Sequence, residues 1–485
     1  MFDQINSIEF DVIDECNLKC SYCYLQSGTG TKNSVQNRMT NKVFDDFFDQ
    51  YITSITKKNS FLNVSFWGGE PLLNFKIIKH IVKRVNVYKK KKFGQVDFLI
   101  VTNGTLISKK IAEFCKEHNV KFQITIDGDK KCHDQQRMDK NGKGTYDIIL
   151  QNIKLLQKIE ADYYVRTTLT DKSPPPSGII ETLKENSIKS DLFSIVSPTT
   201  TYNYKNLSYA DSERHAKEIF DSYLHDFAKN NDFFYSNIDT NVKQFFSASP
   251  RTSCGVSKHK IAIKSDGTIY PCHRFVKSPK YCIGNVWDGI DGTYNDLYHL
   301  VVEKNENCKS CEYRYFCGGT CFYELSKTDD KNYIQKDVCV FKKSLLNMTF
   351  KFITRLYLYD KAGYKKLISK HSGGAMGKTK IQEINNPDIN RFNQNNIPLK
   401  SEDAECVDLG EDGVIYLKNK FEKKYIANTT TMAIWDLIDG KRTGKEIANQ
   451  IAQACQVNNQ EIEEDIYKQL SALKDLGLLE IRGKS

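Results

Sequence analysis

Three cysteines crowd the stretch "DECNLKCSYCYL" (residues 14–25): Cys16, Cys20 and Cys23, spaced C-x3-C-x2-C. A disulfide framework uses an even count and longer closed loops. A structural zinc site needs a fourth ligand nearby. Three thiolates without a fourth suit an iron–sulfur cubane, whose soft sulfur ligands would leave one iron open. An open iron can bind a small molecule through an amine and a carboxylate.

Other short motifs stand where such a molecule would be gripped. "WGGEP" (67–71) sets Gly68 and Gly69, which permit close backbone approach, before the carboxylate of Glu70. "TNGT" (102–105) is a second turn of this kind and contains Asn103. Tyr22 lies between the second and third cysteines. "QITIDGDKKCHDQQR" (123–137) carries Thr125 and Arg137. Together these motifs resemble the radical S-adenosylmethionine (SAM) superfamily. The resemblance implies that Cys16, Cys20 and Cys23 hold a [4Fe-4S] cluster whose open iron chelates SAM. It implies that Gly68, Gly69 and Glu70 take the SAM amino group, with Tyr22 near the adenine. It further implies Thr125 near the ribose, Arg137 near the carboxylate and Asn103 in the same cofactor-binding set. The cluster would pass one electron to the sulfonium, and the 5′-deoxyadenosyl radical would abstract a hydrogen atom; the cofactor supplies this chemistry and the protein orients it.

Eight of the 15 cysteines fall between 254 and 339. The run Cys308-x2-Cys311-x5-Cys317-x3-Cys321, followed by Cys339 and preceded by Cys254 and "SDGTIYPC" ending at Cys272, resembles the SPASM domain of peptide-modifying radical SAM enzymes. That resemblance implies two auxiliary [4Fe-4S] clusters, three clusters in all. Cys308, Cys311, Cys317 and Cys339 would hold one. Cys254, Cys272 and Cys321 would hold the other, with either Cys282 as fourth ligand or an open iron. A zinc ribbon is the alternative. After Cys272 stands His273, where sulfatase maturases have an aspartate base. This departure points away from sulfatase maturation and makes His273 a catalytic candidate.

The elements that must position these motifs alternate. "SIEFDVI", "FLNVSFW", "QVDFLIVT", "KFQITIDG" and "YYVRTTLT" read as strands, with amphipathic helices such as "NKVFDDFFDQYITSI" between them. Repeated β–α units imply a parallel sheet with outer helices, and sites on such sheets gather at the carboxyl ends of the strands. The fold class is therefore α/β, and the resemblance makes it a partial (β/α)6 TIM-like barrel. It is followed by a small cysteine-rich SPASM domain and a winged-helix-like C-terminal domain. The expected division is 1–235, 236–340, a helix and linker over 341–395, and 396–485. "FKKSLLNMTFKFITRLYLYDKAGYKKLI" reads as one long helix. In the last 85 residues three strands precede three helices.

Charge separates the ends of the chain. The formal net charge is +10, but residues 401–485 contain 11 basic and 16 acidic residues, net −5, which leaves +15 on residues 1–400. A basic body serves solubility; the alternative reading is attraction to acidic partners, nucleic acid or an acidic peptide. The acidic C-terminal domain is a poor DNA reader, because phosphate contact needs basic side chains; no nucleic-acid partner is expected. That domain resembles PqqD-like leader-peptide recognition elements. The resemblance implies β-augmentation along a strand formed by Lys424, Tyr425, Ile426, Ala427 and Asn428. No apolar run approaches the ~18 residues of a membrane span, and the start lacks a basic leader with an apolar core, so neither membrane nor secretion is expected. The reading is a cytoplasmic radical SAM peptide maturase of an anaerobic bacterium. Its partners would be a ribosomally made precursor peptide and a ferredoxin or flavodoxin. Its product would be a cross-link, a thioether from cysteine sulfur to carbon. Carbon–carbon or carbon–oxygen cross-links and epimerisation are the alternatives within the class, and a non-catalytic metal-stapled peptide-binding scaffold the alternative outside it.

Overall fold

The computed structural model describes residues 5–25, 38–54, 60–196, 207–245, 254–256, 259–291, 305–309, 311, 313–330, 332–371, 395–402, 404–408, 415–418, 424–427, 434–455, 459–475 and 477–482. The chain divides into two compact units. The first comprises residues 1–238 and 252–345, the second 239–251 and 346–485.

In the first unit the alternation in the sequence becomes a wound sheet. Strands β1 (Ser7–Asp11), β2 (Ser60–Trp67), β3 (Phe93–Thr102), β4 (Val120–Thr125), β5 (Tyr163–Leu169), β6 (Ser190–Ile195) and β7 (Phe234–Tyr235) follow one another in space. Each neighbouring pair among them is parallel. Helices return the chain between them, among them α1 (Asn41–Ser54), α2 (Phe75–Lys92), α3 (Lys109–Glu117), α4 (Lys130–Gln136) and α5 (Tyr146–Ile159).

Side-chain alternation assigns the two faces of this sheet. On β1, Ile8 and Phe10 are buried, and Phe10 packs edge-on against Phe44 and Phe47 of α1 at 5.6 and 6.0 Å. Burying each such ring contributes about 1.5–3 kcal/mol. Glu9 and Asp11 therefore project to the opposite face, away from the helices.

The expected boundary between 235 and 236 falls inside this unit, because the sheet does not stop there. Strand β8 (Lys260–Lys264) pairs in parallel with the free side of β1, Ile8 opposite Ile261. Strands β9 (Thr268–Tyr270), β10 (Gly284–Asn285) and β11 (Gly289–Ile290) continue it as an antiparallel extension of the same 11-stranded sheet. The cysteine-rich region thus begins as an edge of the barrel sheet.

The single long helix expected after residue 340 is two helices, Lys336–Tyr359 and Lys361–His371. Asp360 separates them: its carboxylate accepts from Gly363 N at 2.8 Å, capping the second helix. In the second unit His371 Nε2 and Asp239 Oδ1 form a buried pair at 2.6 Å. The three expected C-terminal strands are present as an antiparallel sheet, β13 (Glu405–Asp408), β14 (Ile415–Lys418) and β15 (Lys424–Ala427). Ile434, Trp435, Ile447, Ile451, Ile466 and Leu470 build the core of the helices that follow. An unexpected pair, β12 (Pro398–Lys400) against β16 (Leu479–Ile481), ties the start of this region to its end. Among the described residues no helix is long and apolar enough to cross a membrane.

Candidate active site

The loops after β1, β2, β3 and β4 meet at one end of the sheet, and hydrogen bonds stitch them together. Gly69 N donates to Ile13 O at 2.8 Å and Glu70 N to Glu15 O at 2.9 Å, so the β2 loop clasps the segment leading into Cys16. Gly68 sits at φ +136°, and a Cβ there would lie 2.3 Å from Ile13 O. A Cβ on Gly69 would lie 2.2 Å from Glu15 O. The close approach these two glycines permit is thus of one loop's backbone to the cysteine loop.

Glu70 is wholly buried. Its carboxylate accepts from Thr102 Oγ1 at 2.7 Å, Asn103 N at 2.8 Å and Leu72 N at 3.0 Å. It ties β2 to β3, a task the sequence reading did not assign. Asn103 donates to Asn17 Oδ1 at 2.9 Å and approaches Cys16 Sγ at 3.9 Å, and Asn17 donates to Thr105 Oγ1 at 2.8 Å. Lys19 N and Ser21 N bond Met138 O and Gln136 O across the far side of the loop.

Cys16, Cys20 and Cys23 are half-buried in this framework. Burial pushes the Cys20 thiol up to about 12, with Arg137 opposing and Cys23 and Cys16 adding to it. Tyr22 donates its hydroxyl hydrogen to Asp127, and Arg137 Nη1 donates to Tyr22 Oη at 2.6 Å while lying 3.5 Å from Asp127. Burial works against the Arg137 charge, but Cys20, Tyr22 and Asp127 outweigh it. Arg137 Nε is buried without a partner. Thr125 ends β4, level with Arg166 of β5.

The sheet face opposite the helices carries the charges that continue this site. Glu9 holds Lys260 Nζ at 2.9 Å, and His273 through both its N–H at 2.8 Å and its Nδ1 at 2.9 Å. Burial alone would raise the Glu9 carboxyl; His273 and Lys260 outweigh it and bring it to about 2. Burial also holds the His273 imidazole below its usual range, against the pull of Glu9. The ring stacks on Trp67, centroids 3.6 Å apart at 8°. His273 therefore stands beside the residue that opens the WGGEP turn.

Asp11, next along β1, has a buried oxygen with no hydrogen-bond partner. Burial and then Asp14 raise its carboxyl to about 8, with Lys277 and Lys264 opposing. An unfolded aspartate titrates near 4. Between those values the folded chain keeps a proton that the unfolded chain has lost, so this group costs stability as pH rises from about 4 to about 8, and the cost levels off above. Asp11→Asn is expected to stabilise the protein more at pH 8 than at pH 5, by on the order of 2–4 kcal/mol. Calorimetry at the two pH values checks this, and an equal gain at both contradicts it.

The later cysteines form two groups. Burial and then Cys317, Cys311 and Cys339 push the Cys308 thiol up to about 11, so these four sulfurs lie near one another. Cys272 is buried and feels Cys321 and Cys254. Cys282 packs against the same apolar cluster as Cys272, and its Sγ donates to Gly284 O at 3.3 Å. Arg274 links this region to the first loop: it pairs with Glu324 at 2.8 Å, touches Cys321 Sγ at 3.7 Å, and lies over the rings of Tyr323 and of Tyr24, the neighbour of Cys23. Among the described residues no three Cys, His, Asp or Glu side chains converge as a single metal ion requires. A cubane is larger than an ion and takes its thiolates at a wider spread; groups of three, three and four thiols fit that donor chemistry.

Sequence reasoning missed Asp127, Glu9, Asn17 and Trp67 as members of this constellation. The signal for Glu9 was present, since acidic residues at 9 and 11 alternate with apolar ones in "SIEFDVI". Of the expected peptide-binding strand, Lys424, Tyr425, Ile426 and Ala427 form β15, paired to β14 with Tyr416 opposite Ile426. Asn428 lies outside the described residues. Among the described strands β15 pairs along one edge alone.

Residues 11–172 match the radical SAM superfamily, and residues 420–479 match coenzyme PQQ synthesis protein D (PqqD). The chain thus carries a radical SAM domain on an α/β partial barrel, and that family implies SAM and a [4Fe-4S] cluster. It carries a PqqD domain at its C-terminal end. It is 26% identical over 370 residues to a cysteine-type anaerobic sulfatase-maturating enzyme of Clostridium novyi, covering 70% of this chain and 96% of that one. In fold it is similar to anSMEcpe with bound AdoMet, with a TM-score of 0.63 and 21% identity over 76% of this chain and 98% of that one. It is also similar in fold to Streptococcus suis SuiB bound to precursor peptide SuiA, with a TM-score of 0.51 and 20% identity over 70% and 76%.

Proposed function

We propose that this enzyme installs a cross-link, a thioether from cysteine sulfur to carbon, in a ribosomally synthesised precursor peptide. Cys16, Cys20 and Cys23 hold the SAM-binding cluster; Gly68, Gly69, Glu70, Asn103, Tyr22, Thr125 and Arg137 shape the SAM site. Cys308, Cys311, Cys317 and Cys339 hold one auxiliary cluster. Cys254, Cys272 and Cys321 hold the other, whose fourth position is Cys282 or open to a substrate thiolate. Bound together, cluster and SAM supply one-electron cleavage of SAM and abstraction of a hydrogen atom. The chain's own residues orient: His273 stacks on Trp67 at the WGGEP turn, and Tyr22 is fixed by Asp127 and Arg137. The functional stretches are 1–235 for SAM chemistry, 236–340 for the auxiliary clusters, 341–395 as connection and 396–485 for leader recognition along β15. A ferredoxin or flavodoxin is the electron donor.

One observation carries this reading: the loops after β2, β3 and β4 are bonded into a single frame around the three-cysteine loop that follows β1. The PqqD match and the peptide-modifying relatives support a peptide substrate.

The test is anaerobic co-expression with the small peptide encoded beside the gene, followed by intact mass. The expected product is lighter by two hydrogens and resists thiol alkylation. The same peptide made beside a Cys16, Cys20 and Cys23→Ala variant should keep its mass. An unchanged mass with the unaltered enzyme, or a lighter product whose thiols all alkylate, removes the thioether.

A further inference from the structure

Among the described residues Arg137, Arg166 and Arg274 stand, largely buried or half-buried, at the face of the sheet opposite the helices or at the loops above it. Two are neutralised: Arg137 lies 3.5 Å from Asp127, and Arg274 lies 2.8 Å from Glu324. Arg166 is not. It sits in the middle of β5, and the residue two before it, Tyr164, shows which face it shares: Tyr164 Oη donates to Gln123 Oε1 at 2.8 Å, while Val165 between them is fully buried. Arg166 Nε donates to Ser194 Oγ at 3.0 Å. Among the described residues the guanidinium has no carboxylate partner, and Nη1 and Nη2 make no hydrogen bond.

Among the described residues that arrangement leaves the terminal nitrogens available to a ligand. Burial pushes the Arg166 guanidinium below its usual range, and Arg274 adds repulsion, while Tyr22, Asp127 and Tyr24 oppose this. The half-buried guanidinium is held at Nε alone, and a charge pair formed at its terminal nitrogens would act in a site of reduced dielectric. Its two free terminal nitrogens form a planar fork, and the group that fits such a fork is a carboxylate, held by two parallel bonds. Tyr22, whose position between two cluster cysteines puts it at the SAM site, is among the groups that sense the Arg166 charge. Arg166 also stands level with Thr125 at the carboxyl end of β4.

We propose that Arg166 is a specificity-determining residue that binds the carboxylate of an acidic side chain of the precursor peptide beside the residue to be cross-linked. This rests on the peptide-maturase reading above and names the substrate chemistry that reading lacks. The net +15 of residues 1–400 favours the approach of an acidic segment.

The probe is N-acetyl-L-glutamate against N-acetyl-L-glutamine. Saturation-transfer NMR would be run on the full-length, reconstituted, SAM-loaded enzyme, unaltered and as Arg166→Gln and Arg166→Lys. The glutamate derivative should bind the unaltered enzyme, about tenfold more weakly the Gln variant, and the Lys variant in between, because a charge-assisted bond is lost and then partly restored. The glutamine derivative should not discriminate. Removing an unpaired cation should leave Tm unchanged or higher.

Three results overturn the proposal. The two derivatives bind alike, or Arg166→Gln lowers Tm, which makes the guanidinium structural. In the third, Arg166→Gln weakens SAM binding in equilibrium dialysis, which assigns the fork to the SAM carboxylate instead. Failure of the maturase reading shows separately, as an unaltered enzyme that forms no 5′-deoxyadenosine from SAM while the NMR comparison still reads out.

Discussion

Gly69→Ala is expected to cut SAM cleavage roughly a hundredfold or more and to lower iron bound at the first cysteine loop. The added Cβ would fall 2.2 Å from Glu15 O and 2.8 Å from Cys16 N, where carbon contacts want about 3.5 Å or more. The atoms in the way are backbone, so no rotamer change relieves them. Either the β2 loop or the cysteine loop must retreat by about 1 Å, and a misplacement of that size costs ~10²-fold in a reacting geometry. Retreat also breaks the bonds from Gly69 N to Ile13 O and Glu70 N to Glu15 O. Gly142→Ala is the control: its Cβ meets nothing within 4 Å, although its own φ of +83° adds backbone strain. Iron per chain and 5′-deoxyadenosine yield check the prediction. A Gly69→Ala enzyme with full iron and full cleavage would show that the clasp is not needed to set the cysteines.

The second large effect belongs to Glu9. Glu9→Gln is expected to destabilise the first unit by about 3 kcal/mol, because it removes the carboxylate that the largely buried Lys260 pairs with at 2.9 Å and sets an amide N–H against donors from His273. By contrast Glu15→Gln, which loses the half-exposed pair with Arg38 at 3.4 Å, is expected to cost no more than about 0.5 kcal/mol. The same carboxylate gives a pH signature. Its folded value near 2 lies below the unfolded value near 4.5, so its contribution is present above about 4.5 and is lost as pH falls toward 2. Thermal unfolding of the two variants at neutral pH compares them directly. Equal small shifts would mean that the Glu9 network contributes no more than a surface pair.

The chemistry was legible in the sequence because iron–sulfur and SAM sites are read by residue type and short spacing. Cys16, Cys20, Cys23, "WGGEP" and "TNGT" are local motifs at strand ends, and β–α alternation already places strand ends together. The network that supports them was not legible. Asn103 reaches back to Asn17, and Asp127 joins Tyr22 to Arg137, across separations of some hundred residues that no local pattern encodes. The continuity of the sheet past residue 235 was not legible for the same reason: β8 is a short apolar strand, and only its parallel pairing with β1 joins it to the barrel sheet.

The sequence by itself determined the cofactor class and the strand–helix alternation of the first unit, since these follow from side-chain chemistry and from periodicities of 2 and 3.6 residues. Tertiary structure alone decided what Glu70 ties together, that Gly68 and Gly69 seat the cysteine loop, that His273 stacks on Trp67 over a buried Glu9, and that Arg166 has no carboxylate partner among the described residues. Each of those depends on which strands lie side by side and in what register. Register is set by the sum of packing across the whole sheet rather than by any one segment.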